Sequence, residues 1–435
     1  MILALAATVI GATSAEAQER EAWQPPTLTT TRYDEDWSVL ADPARRSGRW
    51  IDDLKYVPLD DDGSIWVGTG GEIRLRSENY RNAGWGDAPA PDDGYVWARA
   101  MPYVDVHAGA VRAFVQPIVA YAAGVRPAAG PVDRTGVDLL QGFAEVALPL
   151  GNDMTLMVRG GRQMLSFGTE RLIGTRYGPN VPLAFDGVRA DVTKGNLTVR
   201  LLAVRPVRSG TGAFDDATSH TRGLWGAYAT VPGFDLYYLG YRNRDAQFGG
   251  ERGAELRHSI GVRGHGTAGA FEWNVEGVFQ FGRFADQRIA AWTLATEVGY
   301  RFTHMPMTPR VMARVNMASG DQRRGDGRLG TFNALFPKGK YFGELSPVGP
   351  YNIINANPSV TLALGKGVSL AVAGTAYWRQ SRGDGVYDIP GNLLRAPGNA
   401  TSRFIGKEVE ATLSWQATSD LELSTSLSAF APGGF

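Results

Sequence analysis

Charged side chains recur at every second position along much of this chain. In SIWVGTGGEIRLRSENY, Glu72, Arg74, Arg76 and Glu78 share one parity and Ile73 and Leu75 the other; in extended backbone that sorts the charges onto one face. Further on, Arg99 shares its parity with Asp105 and His107, Arg112 with Gln116, and Glu145 with Gln141. A guanidinium stays charged at any working pH and grips a carboxylate with two parallel hydrogen bonds, so such rows could hold a succession of carboxylates. The same arginines could instead neutralise Glu72, Glu78, Asp105, Glu145 and Glu276 within a protein wall.

Other chemistries find less support. His107, His220, His258, His265 and His304 lie far apart with no HExxH spacing, and Ser166 sits in LSFG, outside any nucleophile elbow. Asp60 to Asp62 and Asp215-Asp216 read as solvated loop acids or cation ligands, and GDGRLG, from Gly325, lacks the strand-helix context of a phosphate loop. There is no cysteine. No enzyme activity, cofactor or resident metal is expected.

The elements that carry these residues are strands. In FEWNVEGVFQFGRF, Phe271, Trp273, Val275, Gly277, Phe279 and Phe281 fall on one side, and Glu272, Asn274, Glu276, Gln280 and Gly282 on the other. The pattern returns in seventeen segments from SIWVGTGGEIRLRSENY to DLELSTSLSAFA, with no helical stretch between them. Short turns alternate with long loops, among them Gly168 to Leu183, Phe248 to Ala254 and Gly320 to Asn352. Short turns on one rim and long loops on the other predict an all-β fold, a transmembrane antiparallel β-barrel with an apolar outer face and a polar lumen. Trp66, Trp97, Trp225, Tyr237, Tyr238, Trp273, Trp292, Tyr300, Trp378 and Trp415 are candidates for the interfacial girdles or for stacking on sugar faces inside. An odd strand count cannot return both termini to one side, so an eighteenth strand is expected in the complete protein, with the last one missing from this sequence.

Composition agrees with a single domain. Mean hydropathy is −0.19, and beyond the first residues no apolar run approaches the roughly 20 needed for a membrane helix. Lys and Arg total 44 against 44 Asp and Glu, a balance that argues against a nucleic-acid partner. Residues 1–17, ending in Ala15-Glu16-Ala17, read as a secretory signal; the missing basic n-region points to a start upstream of Met1, and a buried N-terminal helix is the alternative. Residues 18–62 read as an irregular periplasmic segment able to tuck into the barrel, and residues 63–435 as the barrel.

Two loop-bearing stretches, Gly161 to Ala190 and Ala318 to Glu344, mix Arg, aromatic and Gly residues over lengths too great for simple connections. The run GRQMLSFGTERLI, the strand opening FDGVR and the loop GDGRLGTFNALFPKGKYFGE make the chain, from about Leu54 onward, resemble the alginate export family of outer-membrane proteins. The resemblance implies an eighteen-stranded barrel, with a further strand after the stretch matching SAFAPGGF. It also implies a passive conduit for an anionic polysaccharide with an Arg-rich constriction. On that reading the pore-lining candidates are Arg74, Arg76, Arg99, Arg112, Arg159, Arg162 and Arg189, with Arg314 and Arg379 behind them and Glu72, Asp105 and Glu145 among them. Arg159 and Arg162 differ in parity, so both face inward only if Gly160-Gly161 bends or bulges the strand. The alternatives are a diffusion porin for small anions, such as sugar acids or aromatic acids, and a barrel that carries nothing. Expected partners are the anionic solute, outer-membrane lipid and periplasmic export components.

Overall fold

Strand alternation with one oily and one charged face leaves a meander a single solution in lipid, which is to close on itself. The computed structural model describes residues 2–7, 26–82 and 92–435. Its wall consists of β1 (Ile65–Tyr80), β2 (Asp93–Ala108), β3 (Val111–Ala123), β4 (Gly136–Gly151), β5 (Met154–Gln163) and β6 (Phe185–Lys194). It continues with β7 (Leu197–Arg208), β8 (Arg222–Val231), β9 (Phe234–Phe248), β10 (Glu251–Ala268), β11 (Phe271–Phe284) and β12 (Gln287–Arg301). The last five are β13 (Arg310–Ala318), β14 (Ile353–Gly365), β15 (Val368–Arg379), β16 (Phe404–Gln416) and β17 (Glu422–Pro432). Each pairs antiparallel with the next, and the seventeen match the expected segments one for one. Within the stretch read as a secretory signal, Ile2–Ala7 is described: it pairs with both β17 and β1 and completes the ring. This is the position in which the expected eighteenth strand would stand.

The faces sort as the alternation requires. On β11, Phe271, Trp273, Val275, Phe279 and Phe281 are exposed while Glu276 and Gln280 are buried. On β1, Ile73 and Leu75 are exposed and Arg74, Arg76 and Glu78 buried. A soluble protein would sort these residues the other way, and lipid is the solvent that makes this arrangement favourable. Trp273, Trp292, Tyr300 and Trp415 stand exposed on the outer wall, but Trp66, Trp97 and Tyr237 are buried on the inner one, so only part of the expected aromatic set can serve as girdle.

Connections alternate as expected, with one correction. The loop anticipated from Phe248 to Ala254 closes instead in a turn at Gly249-Gly250, both with positive φ (57° and 91°), and its flanks extend β9 and β10 above the wall. At Gly160-Gly161 the strand carries no bulge. Pairing of β5 with β6 runs unbroken from Met154↔Lys194 to Gln163↔Phe185, and Gly161 takes φ 135° opposite Gly187 at 151°. A Cβ on Gly161 would strike the Gly142 carbonyl oxygen and Phe143. Gly161→Ala is therefore expected to lower the thermal stability of the folded, fast-migrating electrophoretic form by roughly 1–3 kcal/mol. Gly195→Ala, in a turn where an added Cβ meets no atom within 4 Å, should cost about 1 kcal/mol. Equal losses in the two would contradict this account of the strand.

Candidate functional site

A polar lumen leaves room for chain to fold into it, and three segments do. Residues 26–56 run along the inside of β1 to β4. Tyr33 packs edge-on against Phe114 and Phe143, at 6.0 and 5.3 Å between centroids, and its hydroxyl donates to the Met164 carbonyl at 2.7 Å. The Lys55 ammonium donates to Tyr103 Oη at 2.5 Å and lies 4.6 Å from the Trp37 ring centroid; burial pushes it down to about 8. Residues 26–56 of the segment read as periplasmic thus lie tucked against the inner wall.

The other two segments come from the loops singled out in the sequence, residues 164–184 and 319–352, the second of which leaves its 322–328 stretch exposed at the rim. They meet in a parallel bridge at Ile173 and Phe336, where Gly174 N donates to Phe336 O (2.8 Å), Phe336 N to Leu172 O (2.9 Å) and Lys338 N to Glu170 O (2.9 Å). The joined loops are pinned to opposite walls. On one side Arg74 donates to the carbonyls of Tyr177 (3.0 Å) and Pro179 (2.6 Å), the Tyr177 hydroxyl to Glu72, and Lys340 to Glu78 (2.9 Å). On the other, Arg171 reaches Glu276 of β11 (3.2 Å), Glu297 of β12 (2.8 Å) and Asn316 of β13 (2.7 Å). Arg257, fully buried on β10, donates to Gln280 (2.9 Å) and the Thr331 carbonyl (3.2 Å).

Most of the arginines picked out by parity are consumed in this bracing. Arg99 pairs with Glu72 at 2.6 Å and its side chain is 0% exposed; Arg76 pairs with Glu78 and Glu344. Arg112 binds Asp105 (2.8 Å), Glu145 (3.2 Å) and the Tyr33 carbonyl (2.7 Å). Arg159 pairs with Glu145 at 2.6 Å, 3% exposed, beneath the Tyr33 ring. Arg162 forks onto Asp186 near the loop rim (2.8 and 3.1 Å). Arg379 donates to the carbonyls of Arg382 (3.2 Å) and Ala400 (2.9 Å) and stacks on Phe435.

Open space remains against the opposite wall. A cavity of about 310 Å³ is lined by Tyr33, Arg189, Arg200, Tyr228, Arg263 and His265. A second, of about 420 Å³, shares Arg263 and His265 and continues to Asn274, Glu297 and Arg310. Arg189 binds Asp191 (2.8 Å) and Arg263 binds Asp235 (2.8 Å), yet Arg200, Arg310 and Arg314 keep 28%, 29% and 38% of their side chains exposed. Deeper in, burial and then the neighbouring Arg171 and Arg314 hold the Lys338 ammonium below its usual value. Parity reasoning covered Arg189 and Arg314 but passed over Arg200, Arg257, Arg263 and Arg310. The alternation that selected Arg74 and Arg76 would have found them, since Arg257 and Arg263 share a face with the buried Glu255 and Ser259. Arg171 lies in a loop, where no period reports its direction.

A closed, lipid-facing antiparallel wall around a charged, partly filled lumen defines an outer-membrane β-barrel channel. The family model described as "Alginate export" matches residues 65–435, and the chain belongs to that family. No curated protein matches it. Among solved structures it is similar to a BenF-like porin from Pseudomonas fluorescens Pf-5 (TM-score 0.53, 11% identity, covering 84% of this chain and 99% of that one). It is also similar to Acinetobacter baumannii OccAB1 (TM-score 0.51, 14% identity, 84% and 95%). A third similar structure is Pseudomonas aeruginosa OccK2 (OpdF) in complex with glucuronate (TM-score 0.51, 11% identity, 86% and 98%). At these identities the likeness concerns the fold.

Arg171→Gln would leave Glu276 without its cation and Glu297 with Arg314 alone, at 3.9 Å, a change that costs about 3–5 kcal/mol when a buried pair is broken. The barrel should still fold, as judged by electrophoretic mobility before heating, while residues 164–184 become cleavable by added protease and single-channel conductance rises. Unchanged protease resistance and conductance would show that Arg171 does not hold the loops.

Proposed function

We propose that this protein is a passive outer-membrane channel for carboxylate-bearing saccharides, an alginate-like anionic polysaccharide on its way out of the cell. The observation that carries the reading is the pair of adjoining cavities in whose walls Arg189, Arg200, Arg263 and Arg310 stand among Asp34, Asp235, Glu272 and Glu297. A chain with one carboxylate per sugar can step along guanidinium groups by competing with their own acids, Asp191 and Glu272, onto which Arg189 and Arg310 fork, and Asp235, which Arg263 binds. Each site is then weak enough to release what it binds, as conduction requires. In this reading the ladder is Arg189, Arg200, Arg263, Arg310 and Arg314, while Arg74, Arg76, Arg99, Arg112 and Arg159 hold the wall and the inner segments. Residues 1–17 act as the export signal, residues 18–62 as an inner periplasmic-side segment that periplasmic export components would meet first, and residues 63–435 as the barrel.

A second reading, a porin for small anionic solutes such as sugar acids, draws support from the joined loops that cross the lumen and from a fold relative solved with glucuronate. Oligouronates of increasing length, added to single channels in a planar bilayer, separate the two. A threading conduit is expected to be blocked more strongly and for longer as the oligomer grows, because more sites are engaged at once. Block by the monomer that does not deepen with length would favour the small-solute porin, and cation selectivity would contradict both.

A further inference from the structure

The outer wall carries a row of arginines that no ion pair accounts for. Register places Arg242 of β9 opposite Leu256 of β10, Leu256 opposite Arg283 of β11, Arg283 opposite Arg288 of β12, and Arg288 beside Arg328 of the 319–352 loop. All four arginines are exposed. Their lumen-side neighbours Tyr241, Phe284, Ile289 and Leu329 are buried, so alternation turns the arginines outward. With strands about 4.8 Å apart, the row extends roughly 19 Å around the barrel. None of the four guanidinium groups has a hydrogen bond or salt bridge among the described residues. The acids at this rim are engaged elsewhere or sit in turns: Asp245 with Arg252 at 3.7 Å, Glu251 with Gln287, Asp326 with the Arg328 backbone N–H, and Asp286 in the turn before Gln287.

Like charges directly opposite one another across a strand pair repel, so Arg283 facing Arg288 is unfavourable without an anion between or above them. The next residues toward the membrane give the height. There Trp225, Gly240, His258, Phe281 and Ala290 form the row below, in register, with the His258 ring stacked on Phe281 and Tyr238. Aromatic rings gather where hydrocarbon meets head groups, and this belt lies on the side of the long loops, which face outward in such barrels. The arginines therefore stand at the level of the outer-leaflet head groups.

We infer that Arg242, Arg283, Arg288 and Arg328 form a binding surface for the phosphate groups of the outer leaflet's phosphorylated glycolipid. Guanidinium pairs match phosphate oxygens bidentately, and the adjoining aromatic and aliphatic surface of Leu256, Ile260 and Phe281 receives the acyl chains. The surface is separate from the lumen and serves to anchor and orient the channel in an asymmetric membrane.

The test titrates the full-length protein in detergent micelles with bisphosphorylated lipid A and with the same lipid dephosphorylated. Wild-type protein is expected to bind the phosphorylated form at least roughly tenfold more tightly, the scale of one or two charge-assisted contacts. Arg283→Gln/Arg288→Gln should remove most of that preference, with Arg283→Lys/Arg288→Lys in between, while conductance and electrophoretic mobility stay at wild-type values. Arg242→Gln/Arg328→Gln, at the two ends of the row, provides a second pair if the central one fails to fold. Equal binding of the two lipids by the wild type, undiminished preference in folded glutamine variants, or displacement by equimolar inorganic phosphate would overturn the inference.

Discussion

Inside hydrocarbon no water is available to any backbone N–H or carbonyl, and the rest of this structure follows from that constraint. Seventeen wall strands, with Ile2–Ala7 between the last and the first, pair edge to edge around a ring, and alternation along the wall strands then commits every second side chain to lipid and every other one to the lumen. An inner wall of this size cannot be filled by side chains alone, so it is polar, and its charges need partners. They find them in one another and in the three segments that fold inside. Arg171 shows the coupling most directly: one guanidinium from a loop joins three neighbouring strands through Glu276, Glu297 and Asn316.

That demand for partners divides the lumen. Against β1 to β5, arginines and acids are matched nearly one to one and covered by residues 26–56 and 164–184, so their charge is spent on cohesion. Burying such a pair is close to neutral in energy, whereas removing one member is costly; this half of the lumen therefore tolerates the loss of a single partner poorly. Against β6 to β13 the arginines also pair with acids, Asp191, Asp235, Glu255, Glu272, Glu276 and Glu297, but Arg200, Arg310 and Arg314 stay part-exposed and the wall borders open cavities. The cavities there carry acids beside the arginines, Asp34, Asp235, Glu272 and Glu297, so selectivity rests on which side of the bore each sign occupies rather than on a surplus of either.

The barrel was legible because its signal is local. A period of two survives in each strand, and the seventeen segments read from the sequence recur as seventeen strands, including the unaided assignment of Phe271 to Phe281 to the outer face and Glu276 and Gln280 to the inner. Only the extents failed where strands outrun the membrane, as at Gly249-Gly250. The lumen was less legible, since parity says which way a side chain points but not what covers it. Arg74 and Arg99 point inward as expected, yet the carbonyls of Tyr177 and Pro179, about a hundred residues away, decide what they hold. Trp66, Trp97 and Tyr237 stand on the inner wall, the alternative to a girdle place that the sequence left open, because an aromatic ring suits either the lipid interface or a filled lumen.

The central claim is that ion selectivity resides in the arginines that border the open cavities and not in the bracing ones. The reversal potential across a planar bilayer under a salt gradient tests it most directly, comparing wild type, Arg200→Gln/Arg263→Gln/Arg310→Gln, and Arg74→Gln, each verified as folded by electrophoretic mobility. The account predicts an anion-selective wild type, a triple variant whose reversal potential moves most of the way to zero, and an Arg74→Gln channel that keeps its selectivity. Retained selectivity in the triple variant, with its loss in Arg74→Gln, would contradict it.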